Sequence, residues 1–278
     1  MTAIDQSNVH TGMYFNLDSG YPTPFFQELL NKAKIVFENN TDYFIENVND
    51  HLQSCGCFQK NFELYRDGGD SAFKLTYEQA IDILNLEQAQ ETVTMPREKI
   101  QADAVFLCGV KPTVVGRFKS LKAAIDNGYN ISTIHFISGN EEHKALVKSL
   151  VENEYQGLIG DRDVTYTVAI DSSAIFESGL KDIESQISDN YMIISDPKFA
   201  SKVEGIAIRA IPSRHSIGVA SVPPFSSWNE RVKAFGYTVE KLGSEEKATI
   251  ALARSSWNFI ARAVHAELRN YKSIHKIN

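Results

Sequence analysis

The chain holds three cysteines, Cys55, Cys57 and Cys108. So small and odd a number favours a reducing compartment over a disulfide framework. No apolar run approaches the roughly 20 residues needed to cross a bilayer. The opening stretch MTAIDQSNVHTGMYF has neither a basic n-region nor an apolar h-region, so no secretory signal is expected and the chain reads as soluble and cytoplasmic. G-x-G-x-x-G and a Walker loop are both missing, which argues against a classical dinucleotide or P-loop site. Without G-x-S-x-G an α/β-hydrolase is disfavoured. The seven histidines form no H-x-x-x-H, and Cys55-x-Cys57 has no partner pair, so no metal site is expected. Basic and aromatic residues do not interleave in the manner of a nucleic-acid surface. Trp228 and Trp257, the two tryptophans, read as packing residues.

What is present is an ordinary globular composition: 278 residues, 43% hydrophobic and 23% charged. The net charge of −7 is unevenly spread. Residues 1–98 carry 6 Lys/Arg against 15 Asp/Glu, whereas residues 198–278 carry 13 against 6. The basic C-terminal third can complement the acidic N-terminal third, or face a phosphate-bearing ligand.

The periodicity changes near residue 98. Before it the pattern is helical. Phe25, Leu29, Ala33, Val36 and Phe37 recur at helical spacing up to Asn39-Asn40; Phe44, Ile45, Val48 and Leu52 follow Thr41; Thr76-x-x-Gln79 is a capping box. Gly68-Gly69 marks a turn, and Pro96 lies in a connection. From Ala102 onward strands and helices alternate. Strands are expected at 103–108, 133–138, 164–170, 191–195 and 216–221, with helices at 114–127, 141–153, 175–188 and 198–210. The strands are apolar without alternation, as when helices cover both faces of a parallel sheet. The expectation is therefore α/β: a Rossmann-like, doubly wound, mainly parallel sheet of about five strands. It would span 99–278 and end in a long helix from Ser244, after a helical N-terminal region at 1–98.

Right-handed crossovers bring all strand C-termini to one edge. Gly109, Lys111, Thr113 and Arg117 follow the first strand; Ser138 and Gly139 end the second; Asp171, Ser173 and Glu177 follow the third; Ser195 and Asp196 follow the fourth. In a 3-2-1-4-5 sheet the first and fourth strands flank the switch point where ligands bind. Gly109 allows close backbone approach, or is only a turn residue. Arg117 reaches an anion, or pairs with a nearby acid. Asp171 and Glu177 bind ligand or act as an acid/base pair, or Ser173 and Glu177 cap a helix. Asp196-Pro197 serves the site, or opens a helix as N-cap and N1. His135, inside a strand, reads as a packed residue.

The ordered set QADAVFLCG, Arg117 with Ala123-Ala124, Ser138-Gly139-Asn140, IDSSAIFESG and Ile194-Ser195-Asp196-Pro197 resembles the YdcF/SanA/ElyC domain-of-unknown-function family, nearest its soluble YdcF-like branch. The likeness covers about residues 100–270, with Val110, Ala174, Ile175 and Ser178 departing from the family pattern. The resemblance implies a Rossmann-like fold with a pocket at the strand C-termini and a small anionic or nucleotide-like ligand, S-adenosylmethionine being the leading candidate. It leaves open a transferase or hydrolase acting on a phosphorylated or envelope-derived substrate, with Asp171 and Glu177 catalytic. A degenerate domain used for protein interaction, and self-association, also stay open.

Overall fold

The computed structural model describes residues 13–35, 43–54, 74–89, 91–170 and 175–277. The readings at Asn39-Asn40, Thr41, Cys55, Cys57 and Gly68-Gly69 fall outside these residues, as do those at Asp171 and Ser173. The chain divides into two compact units: Met1–Ala89 with Ser227–Asn278, and Gln90–Ser226.

The first unit begins with a short antiparallel pair, β1 (Phe15–Asn16) and β2 (Tyr21–Pro22), followed by helices α1 (Pro24–Lys32), α2 (Ile45–Ser54) and α3 (Tyr77–Ala89). The capping box before α3 is reciprocal: Thr76 N–H donates to Gln79 Oε1 at 2.8 Å and Gln79 N–H to Thr76 Oγ1 at 3.2 Å. Helix α1 stops earlier than its apolar spacing predicts. Lys34 adopts φ 55°, Lys34 N–H bonds the Asn31 carbonyl and Ile35 N–H bonds that of Leu30. This is a Schellman closure, and the buried Ile35 supplies its apolar contact.

The second unit contains a five-stranded parallel sheet built from β3 (Ala102–Leu107), α4 (Lys111–Asp126), β4 (Ile131–Ser138), α5 (Glu141–Asn153), α6 (Gln156–Ile159) and β5 (Asp163–Val168). It continues through α7 (Ile175–Ile183), β6 (Asn190–Ile194), a 3₁₀ turn (Pro197–Phe199), α8 (Ala200–Ala210) and β7 (His215–Ala220). The strand order is β5-β4-β3-β6-β7, all neighbours parallel. This is the expected Rossmann-like 3-2-1-4-5 arrangement, with its switch point between β3 and β6. One face of the sheet packs Phe106, Phe136 and Ile194 against Val114, Phe118 and Leu121 of α4. The other packs Val105, Ile137 and Ile193 against α7 and α8. Each such side chain contributes about 1.5–3 kcal/mol on burial.

The connection expected near residue 98 belongs to this unit. Thr94 and Ser221 exchange two main-chain hydrogen bonds of 2.9 Å, and Arg97 N–H donates to the Ile217 carbonyl. Gly218 makes room for this segment. Its φ is +119°, and a Cβ there would lie 3.2 Å from Pro96 Cα.

The chain then returns to the helical unit as α9 (Trp228–Ala234), α10 (Val239–Leu242) and α11 (Glu245–His275). The structure thus groups the long terminal helix with residues 1–89 instead of with the α/β region. Trp257 of α11 is fully buried, its ring centroid 6.4 Å from that of Phe26, in a core that also contains Leu29, Ile83 and Leu84. The Glu267 carboxylate of α11 accepts the N–H groups of Met13, Tyr14 and Phe15. Charge complementarity is realised inside this unit, where Lys272 meets Glu46 at 3.0 Å and Arg231 meets Glu87 at 3.7 Å. Among the described residues no helix is long and apolar enough to cross a membrane.

His135 is a packed residue, 1% exposed, between Asp103 (3.4 Å) and the Thr165 hydroxyl (2.8 Å). Asp103 also accepts the N–H groups of Thr133 and Ser188. Burial pushes the Asp103 carboxyl up, but the hydrogen bonds from His135 and Ser188 and the nearby imidazole charge outweigh it and hold the group below its ordinary value. A depressed carboxyl stabilises the fold above its unfolded pKa, and that stability is lost as pH falls through the folded value. Resistance of the native protein to urea should therefore fall below about pH 4, the unfolded aspartate range. Asp103→Asn should cost about 1.5–3 kcal/mol at neutral pH and flatten this acid limb. Parallel acid limbs for the two proteins would contradict the assignment.

Candidate functional site

The parallel sheet carries the described candidates other than Glu177 to its C-terminal edge, but the residues there behave differently from one another. Arg117, in the second turn of α4, is buried. It donates through one Nη to the Leu107 carbonyl at the end of β3 and through the other to Asp196 Oδ2 at 2.8 Å, just past β6. The guanidinium thus spans the switch point between β3 and β6. The two side chains are 7% and 11% exposed, and Arg117 Nε is buried with no acceptor. Asp196 stands at the N-cap position before Pro197, yet its side chain makes no capping bond. Of the two readings of Asp196-Pro197, the capping bond is not made, and the carboxylate engages Arg117 through Oδ2.

Beside this pair the loop after β7 seats on α4. Lys119 Nζ donates to the Pro224 carbonyl at 2.6 Å. Ser120 donates to the Ser195 carbonyl at 3.1 Å and accepts the Val222 N–H at 3.0 Å. Gly116 permits the contact: a Cβ there would stand 2.6 Å from Pro224 Cβ and 3.7 Å from Asp196 Oδ1. Ser195, itself buried, uses its N–H on the Ala220 carbonyl. The contacts of Ser120 and Lys119 with the loops after β6 and β7 did not stand out in the sequence. Their signal was Gly116, since a glycine inside a helical pattern often marks a close approach.

The start of α4 is the other part of the edge. Val110 occupies its N-cap position with no side-chain hydrogen bond, and Pro112 lies in its first turn. Gly109 and Thr113 are half-buried and Lys111 is exposed, 3.6 Å from Glu154. A Cβ on Gly109 would meet nothing nearer than Thr113 Cγ2 at 4.0 Å, so sterics do not demand glycine there. Gly139 is different, because a Cβ would come within 2.5 Å of Ile175. Ser138, 1% exposed, lies beside the Cys108 thiol without meeting hydrogen-bond geometry, and its hydroxyl has no partner. Burial pushes that thiol up to about 11, against the opposing pull of Ser138 and the Arg117 charge. Glu177 is not part of this gathering: it is exposed on α7 and pairs with Lys181 at 2.8 Å. Among the described residues no cluster of three or more His, Cys, Asp or Glu could hold a metal ion.

No family model, curated protein or solved structure matches the chain. The functional argument therefore rests on the geometry of this edge.

Two outcomes follow from it. Gly116→Ala should lower the melting temperature despite its helix-propensity gain, because overpacking against Pro224 costs about 1–3 kcal/mol; an unchanged or raised melting temperature would mean the loop does not seat on α4. Cys108, held as a neutral thiol, should resist alkylation in the native protein at neutral pH and react once the protein is unfolded, as read by mass mapping of modified peptides.

Proposed function

We propose that this chain binds a small nucleotide-like ligand, with S-adenosylmethionine, through its carboxylate, as the leading candidate, at the C-terminal edge of its sheet. The observation that carries the reading is the uncapped start of α4 beside the β3/β6 switch point. Helices α1, α5, α9 and α11 each receive a side-chain cap, from Thr23, Asn140, Ser227 and Ser244. Helix α4 receives none, as α6, α8 and α10 also do not, and in its first turn Lys111 and Thr113 keep N–H groups that suit a phosphate or carboxylate while Pro112 has none. The unpartnered Ser138 hydroxyl at the end of β4 supports the same edge, and Thr113 and Lys111 add a hydroxyl and a cation at the helix start. The resemblance to the YdcF/SanA/ElyC family agrees with this location. A cytoplasmic setting belongs to the same reading, supported by the free, buried thiol of Cys108. The alternative of acid/base catalysis draws no support from Glu177, whose carboxylate is engaged by Lys181.

The test is a melting-temperature panel of the native protein with S-adenosylmethionine and nucleoside mono-, di- and triphosphates, followed by calorimetry on any hit. A ligand present at about 100 times its Kd should stabilise the fold by about 2.7 kcal/mol. A flat panel would rule the proposal out.

A further inference from the structure

We propose that the outer side of β5 is the surface through which two copies of this chain associate. Their β5 strands pair antiparallel about a two-fold axis at Tyr166 and join two five-stranded sheets into one. This surface is the lateral edge of the sheet and not its C-terminal edge, so the inference stands independently of the ligand reading.

The two outer strands of the sheet are treated differently. The segment before β3 covers β7: Thr94 and Ser221 exchange main-chain bonds, and Arg97 N–H donates to the Ile217 carbonyl. Strand β5 has no such cover among the described residues. Its inward main chain is fixed by the bond from the Ala169 N–H to the Ser138 carbonyl. Directions alternate along a strand, so Thr165 and Thr167 turn their main chain toward β4, and Val164, Tyr166 and Val168 turn theirs outward. Among the described residues these outward N–H and carbonyl groups have no protein partner. Natural sheets shield an open edge with proline, lysine or a bulge. Strand β5, DVTYTV, has neither residue, and its register with β4 runs without a shift.

A second copy fits this edge. Val164-Thr165-Tyr166-Thr167-Val168 reads the same in both directions. Antiparallel pairing centred on Tyr166 sets Tyr166 against Tyr166, Thr165 against Thr167 and Val164 against Val168, so each side chain meets its own kind. The centre of the palindrome is also an outward-facing residue. Tyr166 therefore exchanges both main-chain bonds with its counterpart, and Val164 exchanges both with Val168 at each end. Charge agrees with this pairing. Helix α5 carries Lys144, Lys148 and Glu152 at four-residue spacing, with Lys148 Nζ 5.1 Å from the Tyr166 ring centroid. The two-fold axis runs this row in opposite directions in the two copies, which turns Glu152 of each toward Lys144 of the other. Because β7 is already covered, association stops at two copies.

The test is sedimentation equilibrium of the full chain. The native protein should dimerise reversibly with a dissociation constant of roughly 1–100 μM, as suits a small interface. Val164→Pro removes an outward N–H and leaves the β4 ladder intact, a substitution that edge strands accept. It should raise the dissociation constant about tenfold or more. Register is tested by charge. Val164→Lys and Val168→Glu should each weaken the dimer, and the two together in one chain should restore it, because each altered position then faces the opposite charge in the other copy. Melting temperatures show that each variant is folded, and if Val164→Pro does not fold, the charge series decides the matter. A native protein that stays monomeric throughout this range, one that grows beyond the dimer, a folded Val164→Pro variant that dimerises as tightly as the native protein, or a double variant no tighter than its two parents would each overturn the proposal.

Discussion

The ion pair between Arg117 and Asp196 is the contact on which this sheet edge depends. Two charges removed from water incur several kcal/mol of desolvation each, and their attraction offsets this only with good geometry and further hydrogen bonds. Arg117 gains one such bond from the Leu107 carbonyl, but its Nε–H gains none. The pair is therefore better suited to fixing position than to adding stability. It ties α4 to the end of β3 and to the loop after β6, across the gap where a doubly wound sheet changes direction. The Ser120 bridge to Ser195 and Val222 and the seating of Pro224 on Gly116 hold α4 against the loops after β6 and β7 from the side.

The α/β region was legible in the sequence because its information is local. Helix α5 was expected at 141–153 and spans those residues, since Asn140 caps it and its apolar positions repeat cleanly. All five strands fall within two residues of their expected starts, because short apolar runs bounded by polar turns mark where a strand begins. The two-unit organisation was less legible. Periodicity identifies α11 as a helix but does not say what its buried face meets. The partners of Trp257 and Glu267 lie more than 150 residues earlier in the chain.

The site shows the same division. Topology alone brings Gly109, Thr113, Arg117, Ser138 and Asp196 to one edge, and a 3-2-1-4-5 order is enough to infer that. Which charges remain available to a ligand depends on pairing that no spacing encodes. Seventy-nine positions separate Arg117 from Asp196. Four residues separate Glu177 from Lys181, an ordinary helical pair that in retrospect could have been read from the sequence and that withdraws Glu177 from the edge. Among the described residues the structure engages Glu177 and one oxygen of Asp196, and leaves Arg117 Nε and the Ser138 hydroxyl without partners.

Both ends of the central strand β3 are held by buried polar groups, and this explains how such a featureless apolar strand keeps its place. Its middle, Ala104-Val105-Phe106, is fully buried on both faces, so hydrophobicity alone tolerates more than one register. At the N-terminal end Asp103 accepts from Thr133, Ser188 and His135, fixing β3 against β4 and the turn before β6. At the C-terminal end Arg117 takes the Leu107 carbonyl and fixes β3 against α4 and the loop after β6. A one-residue slip would strand a carboxylate at one end and a guanidinium at the other, each costing more than the apolar contacts could return. Specificity thus comes from two polar anchors placed where an apolar strand would otherwise be free to slide. The anchor at the C-terminal edge is the incompletely satisfied one, because Arg117 Nε is buried without an acceptor.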